Sequence, residues 1–198
     1  LQQSVLSVGN LFVQGIVNQF GSAVVAGYSG AIKLNTFAIN IFMTLGSCLS
    51  SYTAQNIGAE QKGRVREGYR AVTIMVLGFA AVICLALELS GDSLAYLFLG
   101  ADGTPAAMQT AVNCMMFMGW FYCLIGFKMT ADGVLRGAGD MKLFTVANLV
   151  NLGIRVLVAV TMAPRFGIFM VWAAVPVGWT ANWLISYCRY RTGKWKKR

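Results

Sequence analysis

The sequence predicts an all-α, polytopic membrane protein of six transmembrane helices. Three observations predict it. Of 198 residues, 57% are hydrophobic and only 12% are charged, about half of the roughly 25% usual in a soluble domain. The mean hydropathy is +0.63. The apolar residues also gather into six stretches, each near the roughly 20 residues that cross a bilayer. Six such spans and five short connections consume the chain and leave no soluble domain.

The same composition excludes other classes. The chain is too apolar to be disordered, and five Cys are too sparse for a disulfide scaffold. The absence of His removes the commonest general base and metal ligand. The pI of 9.6 does not point to nucleic acid in a chain with so few charges. No Walker-type loop, HExxH or CxxC is present, so no enzyme activity and no cofactor are expected.

The first helix spans about 1–20. It lacks the basic flank of a signal peptide, and the chain begins at Leu1 within a helical pattern, so upstream sequence is expected. Gly21-Ser22 separates it from the second helix, about 23–55. A polar, basic loop from Gly58 to Glu67 leads to the third, about 72–89. The fourth, about 105–135, opens on Pro105, which suits a first helical position. Gly137-Ala138-Gly139-Asp140 turns the chain into the fifth, about 143–163. Pro164-Arg165-Phe166-Gly167 precedes the sixth, about 168–187, and a basic tail follows at 188–198.

The charges orient these spans. If the connections alternate sides, one side holds Lys62, Arg64, Arg66, Arg70, Arg136 and Lys142. It also holds Arg189, Arg191, Lys194, Lys196, Lys197 and Arg198. The other side has Arg165 alone. By the positive-inside rule the C-terminus is cytoplasmic, and Asp92 and Asp102 lie outside. A plasma membrane, in particular a bacterial inner membrane, is the expected location.

Three basic residues fall inside spans, and two helices carry polar stripes. Gln3, Ser7, Asn10, Gln14 and Asn18 share a face of the first helix. Ser29, Lys33, Thr36, Asn40, Thr44, Ser47, Ser51 and Gln55 share one on the second. Polar groups in hydrocarbon must pair or meet water. These faces are therefore either glue between packed helices or the wall of an aqueous cavity. Lys33 either snorkels to the interface or faces that cavity. Arg155, with Asn148 and Asn151, marks a similar face on the fifth helix. Lys128 and Asp132, four residues apart, have the spacing of a local ion pair. Gly133 and Gly137 have the spacing of close helix packing.

Several segments in order carry a family resemblance: Leu1-Gln2-Gln3-Ser4, Ala54-Gln55-Asn56-Ile57-Gly58-Ala59, Leu135-Arg136-Gly137-Ala138-Gly139-Asp140, Arg155, and Trp172 to Trp179. Together they resemble the C-terminal six-helix lobe of multidrug and toxic compound extrusion (MATE) transporters. The resemblance implies a twelve-helix protein whose other partner is an N-terminal lobe. It implies export of drug-like amphipathic molecules across the bilayer, coupled to entry of H⁺ or Na⁺. Asn10, Gln14, Asn18, Lys33, Thr36, Asn40, Asn148 and Arg155 would line the substrate cavity. Some branches carry carboxylates on the first and fourth helices of this lobe. Here Leu6-Ser7-Val8 and Leu124-Ile125-Gly126 hold none. Ion coupling is therefore expected in the N-terminal lobe, with Asp132 the one weak candidate in this chain. A lipid-linked oligosaccharide flippase of the same superfamily and a non-transporting scaffold subunit stay open as alternatives.

Overall fold

The computed structural model describes residues 2–99, 104–193 and 195, with side chains from Val8 onward except Phe98. Lys194, Lys196, Lys197, Arg198 and Asp102 of the charge map, and the side chains of Gln3 and Ser7, lie outside the described residues. The described residues form helices and their connections, without a strand: α1 (Gln2–Val17), a 3-10 turn (Asn18–Phe20), α2 (Ser22–Gly58), α3 (Lys62–Leu99), α4 (Pro105–Gly119), α5 (Tyr122–Gly137), α6 (Met141–Phe166) and α7 (Phe169–Arg191). Three of these, α2, α3 and α6, are long and apolar enough to cross a membrane, and α4 with α5 supplies a fourth as one broken span.

The helices keep the expected order, and their extents differ: the first ends at Val17 in the 3-10 turn and the last runs on to Arg191. The expected fourth helix is two, bent by 53° at Trp120–Phe121. The third helix is far longer than 72–89, because the basic segment after Gln61 and the stretch from Gly91 to Leu99 are helical rather than loop. Lys, Arg and Glu are good helix formers, and that turn projects beyond the apolar stretch. A non-helical Ser90 (φ −136°, ψ 20°) interrupts the far end of α3.

The ends of the helices are chemically fixed. Thr104 caps α4 by accepting a hydrogen bond from the Ala107 amide (3.3 Å), with Pro105 in the first turn. Gly139, at φ +73°, closes α5. Its amide donates to the Arg136 carbonyl (3.0 Å), and that of Asp140 donates to Leu135 (2.9 Å). This is the Schellman pattern that satisfies terminal carbonyls.

In the core, α2 packs against α3, α4 and α5, α7 packs against α5 and α6, and α1 lies on α6. Phe42, Val76, Met115, Met118 and Tyr122 are fully buried at the centre. Glycines set the closest approach. A Cβ on Gly133 would strike the Gly46 carbonyl, one on Gly46 would strike that of Met129, and one on Gly137 that of Ser50. The Gly133/Gly137 pair thus brings the α5 backbone against that of α2, as small residues do in membrane bundles.

Candidate functional site

The α2 stripe runs along the lobe's outside. Lys33, Thr36, Asn40, Thr44, Ser47, Ser51 and Gln55 are exposed, while the opposite face of α2, with Tyr28, Ala31, Asn35, Ala38 and Phe42, is buried. The stripe's described hydrogen bonds turn inward on its own helix: Thr36 Oγ1 donates to the Ile32 carbonyl (2.8 Å) and Thr44 Oγ1 to that of Asn40 (2.9 Å). Threonine makes this bond to the carbonyl one turn back within its own helix. On α1, Asn10 is exposed, and Gln14 Nε2 donates to Asn18 Oδ1 (3.1 Å). Asn10, Asn18, Lys33, Thr36 and Asn40 are therefore exposed, and Gln14 is half-buried. Among the described residues Lys33 has no carboxylate partner.

Asn148 and Arg155 are placed differently. Asn148 is buried and belongs to a polar cluster joining α5, α6 and α7. The Lys128 ammonium contacts Asp132 Oδ2 at 2.9 Å and donates to Asn148 Oδ1 at 3.1 Å. Ser186 Oγ donates to Asp132 Oδ1 (2.7 Å), and Asn148 Nδ2 donates to the Phe144 carbonyl (2.9 Å). Asp132 is 1% exposed, so it lies inside the lobe, with both carboxylate oxygens engaged by protein. A buried ion pair persists only when its remaining hydrogen bonds are satisfied, and this one is satisfied from three helices.

Arg155 lies one turn from Asn151 on α6, against Gly178 of α7. A Cβ at position 178 would meet Asn151 Oδ1 and crowd Arg155 Cγ. Among the described residues, Arg155 Nε and Asn151 Oδ1 are buried without a hydrogen-bond partner. Unpaired buried polar groups are costly, so this corner holds a donor and an acceptor still to be satisfied.

Sequence reasoning found the Lys128–Asp132 spacing but missed Ser186 and Asn182, which adjoin it, and the Arg189–Asp140 pair. Ser186 and Asn182 sit four apart on α7, a helical repeat that is a faint signal inside an apolar span. It also missed a cluster of aromatic and basic residues where α3 begins and α7 ends, described below.

Comparisons place this geometry among known proteins. The MatE family model matches residues 1–161. A probable multidrug resistance protein, YpnP of Bacillus subtilis (strain 168), is 28% identical over 203 residues, spanning 99% of this chain and 44% of the relative. A second from the same organism, YoeA, is 24% identical, with 98% of this chain and 42% of its own length covered. Among solved structures, an outward-facing multidrug resistance MATE family transporter of the MOP superfamily superposes with a TM-score of 0.87 at 21% identity, over 98% of this chain and 43% of that one. An inward-facing form gives 0.82 at 21% identity, over 92% and 41%. The chain spans less than half the length of the relatives it matches.

Proposed function

Because the chain belongs to the MatE family, we propose that it is one half of a secondary antiporter that exports amphipathic, drug-like organic compounds. The partner half is an N-terminal lobe, and H⁺ or Na⁺ entry drives export. One observation carries the reading: the polar stripe of α2 faces away from the lobe's own core. Seven exposed polar positions on one face of a membrane helix need water, substrate or a second lobe against them. Two such walls rocking against each other give alternating access. On this reading the α1 stripe and Arg155 also border the cavity, with Asn148 buried beside it. The positive-inside pattern favours a plasma membrane with the C-terminus in the cytoplasm.

Ion coupling is assigned to the other lobe. Asp132 is committed to Lys128, Asn148 and Ser186, which leaves it no free oxygen for an entering cation. A folded Asp132→Asn transporter that still exports drug but no longer moves H⁺ or Na⁺ overturns that assignment.

The wall itself is tested by single cysteines at Thr36 and Asn40, in a background where exposed Cys48 and Cys188 are replaced by Ser. A water-soluble thiol reagent should label both in the assembled transporter, and an exported dye should slow the labelling. Unreactive positions in an active transporter refute the aqueous wall. A second reading has an observation of its own. Lys33 and Arg155 have no acid partner among the described residues, which suits a lipid-linked oligosaccharide with its diphosphate. Translocation of that lipid, with no efflux of fluorescent cations, would select it.

A further inference from the structure

At one end of the bundle the first turns of α3 and the last turns of α7 enclose a cleft of ≈ 830 Å³. Arg66, Arg70 and Arg191 line it, and among the described residues none of them forms an ion pair. Glu67 is the one acid in the lining, so the arginines leave net positive charge. The walls are aromatic. Tyr69 stacks on Tyr190 (centroids 4.2 Å apart, 15° between planes), and Tyr190 stacks on Trp195 (5.9 Å, 9°). Trp195 is tied down by donating from its Nε1 to the Tyr190 carbonyl (2.9 Å). Tyr187, stacked on Trp183 at 5.4 Å, continues the series along α7.

The exposed face of α3 changes character along its length. Arg66 and Arg70 occupy it first. Ile74, Leu77, Ala81 and Leu85 follow at the same helical spacing, all exposed. Charge gives way to hydrocarbon within one turn. A free phosphate has no use for that apolar continuation, whereas a phospholipid matches both parts. Arginine forks bind phosphate oxygens two at a time, tyrosine and tryptophan favour the headgroup level, and acyl chains lie along the exposed aliphatic residues. Basic pockets between helices are a known mode of anionic headgroup recognition.

We propose that the cleft formed by Arg66, Arg70 and Arg191 against the Tyr69–Tyr190–Trp195 stack binds the phosphate headgroup of an anionic phospholipid, with its acyl chains along α3. The site stands apart from the polar stripes and does not depend on what the protein transports.

The test is native mass spectrometry of the purified, detergent-solubilised protein titrated with phosphatidylglycerol, phosphatidylcholine or inorganic phosphate. Wild type should retain phosphatidylglycerol over phosphatidylcholine, and excess phosphate should not displace it. The triple variant Arg66→Gln/Arg70→Gln/Arg191→Gln removes only exposed side chains. It should weaken phosphatidylglycerol binding on the order of a hundredfold, about fivefold per arginine. Arg64→Gln, whose guanidinium bonds to Gln61 outside the cleft (3.1 Å), should bind like wild type. Equal retention by the triple variant, equal affinity for phosphatidylcholine, or the same loss in Arg64→Gln overturns the proposal. Displacement by phosphate alone overturns the lipid in favour of a free anion.

Discussion

Replacing Lys128 by Gln removes one charge from the buried cluster and leaves the other in place. The Lys128 and Asp132 side chains are 6% and 2% exposed, with 2.9 Å between ammonium and carboxylate. Breaking a buried pair from one side costs about 3–5 kcal/mol, because the surviving charge is uncompensated. Ser186 and Asn148 still reach Asp132, and polar contacts within membrane bundles are individually weak, averaging about 0.6 kcal/mol. The lower end, about 3 kcal/mol, is therefore expected. For a chain of this length that is a fall in Tm of about 6–12 °C. Asp132→Asn alone should cost a similar amount, since it strands Lys128. The double variant Lys128→Gln/Asp132→Asn is neutral, and position 132 keeps an oxygen for Ser186. It should return to within about 1 kcal/mol of wild type, giving a coupling energy of about 5 kcal/mol. The assay is tryptophan-fluorescence thermal unfolding in one detergent at one scan rate. Single variants as stable as wild type, or a double variant no better than either single, would refute the claim that Lys128 compensates the buried charge of Asp132.

Gly46→Ala and Gly133→Ala should each cost about 1–3 kcal/mol by overpacking, since both Cβ atoms would meet backbone carbonyls. Gly153→Ala, with open space around it, should be neutral or stabilising by up to about 1 kcal/mol, and thermal unfolding of the three compares them directly. Arg189→Gln, which removes the 2.6 Å contact to buried Asp140, should cost more than Arg191→Gln, an exposed residue on the same turn. Gly178→Val should displace Arg155 and Asn151 and lower transport, whereas Val177→Ala beside it, on the exposed face, should not; dye efflux measured at matched expression decides.

The helix order was legible because apolar stretches, glycines and prolines report directly on a helix and its ends. The contact of Lys128 with Asp132 was legible because it lies within one helix, where spacing fixes geometry. Asn148 and Ser186 were not assigned to that pair, because their meeting depends on how α6 and α7 rotate against α5. No period within one helix encodes that rotation. The same limit hid the cleft between α3 and α7, whose two walls are more than 110 residues apart in the chain. The break at Trp120–Phe121 was missed for a local reason: both residues suit a helix as well as a bend. The periodicity of the α2 stripe was legible as a face, but which way it points depends on Tyr28, Ala31, Ala38 and Phe42 filling the opposite side of the helix.

The glycine contact between α2 and α5 has a mechanical meaning. Where Gly46 and Gly133 meet backbone to backbone, no side chain remains to change rotamer and let one helix slide past the other. The wall that α2 presents is locked to α5, and through Lys128, Asp132, Asn148 and Ser186 that lock reaches α6 and α7. The polar face of α2 is thus coupled by backbone contact and hydrogen bonds to α5, α6 and α7, so on the proposed antiporter reading these four helices would move as one body.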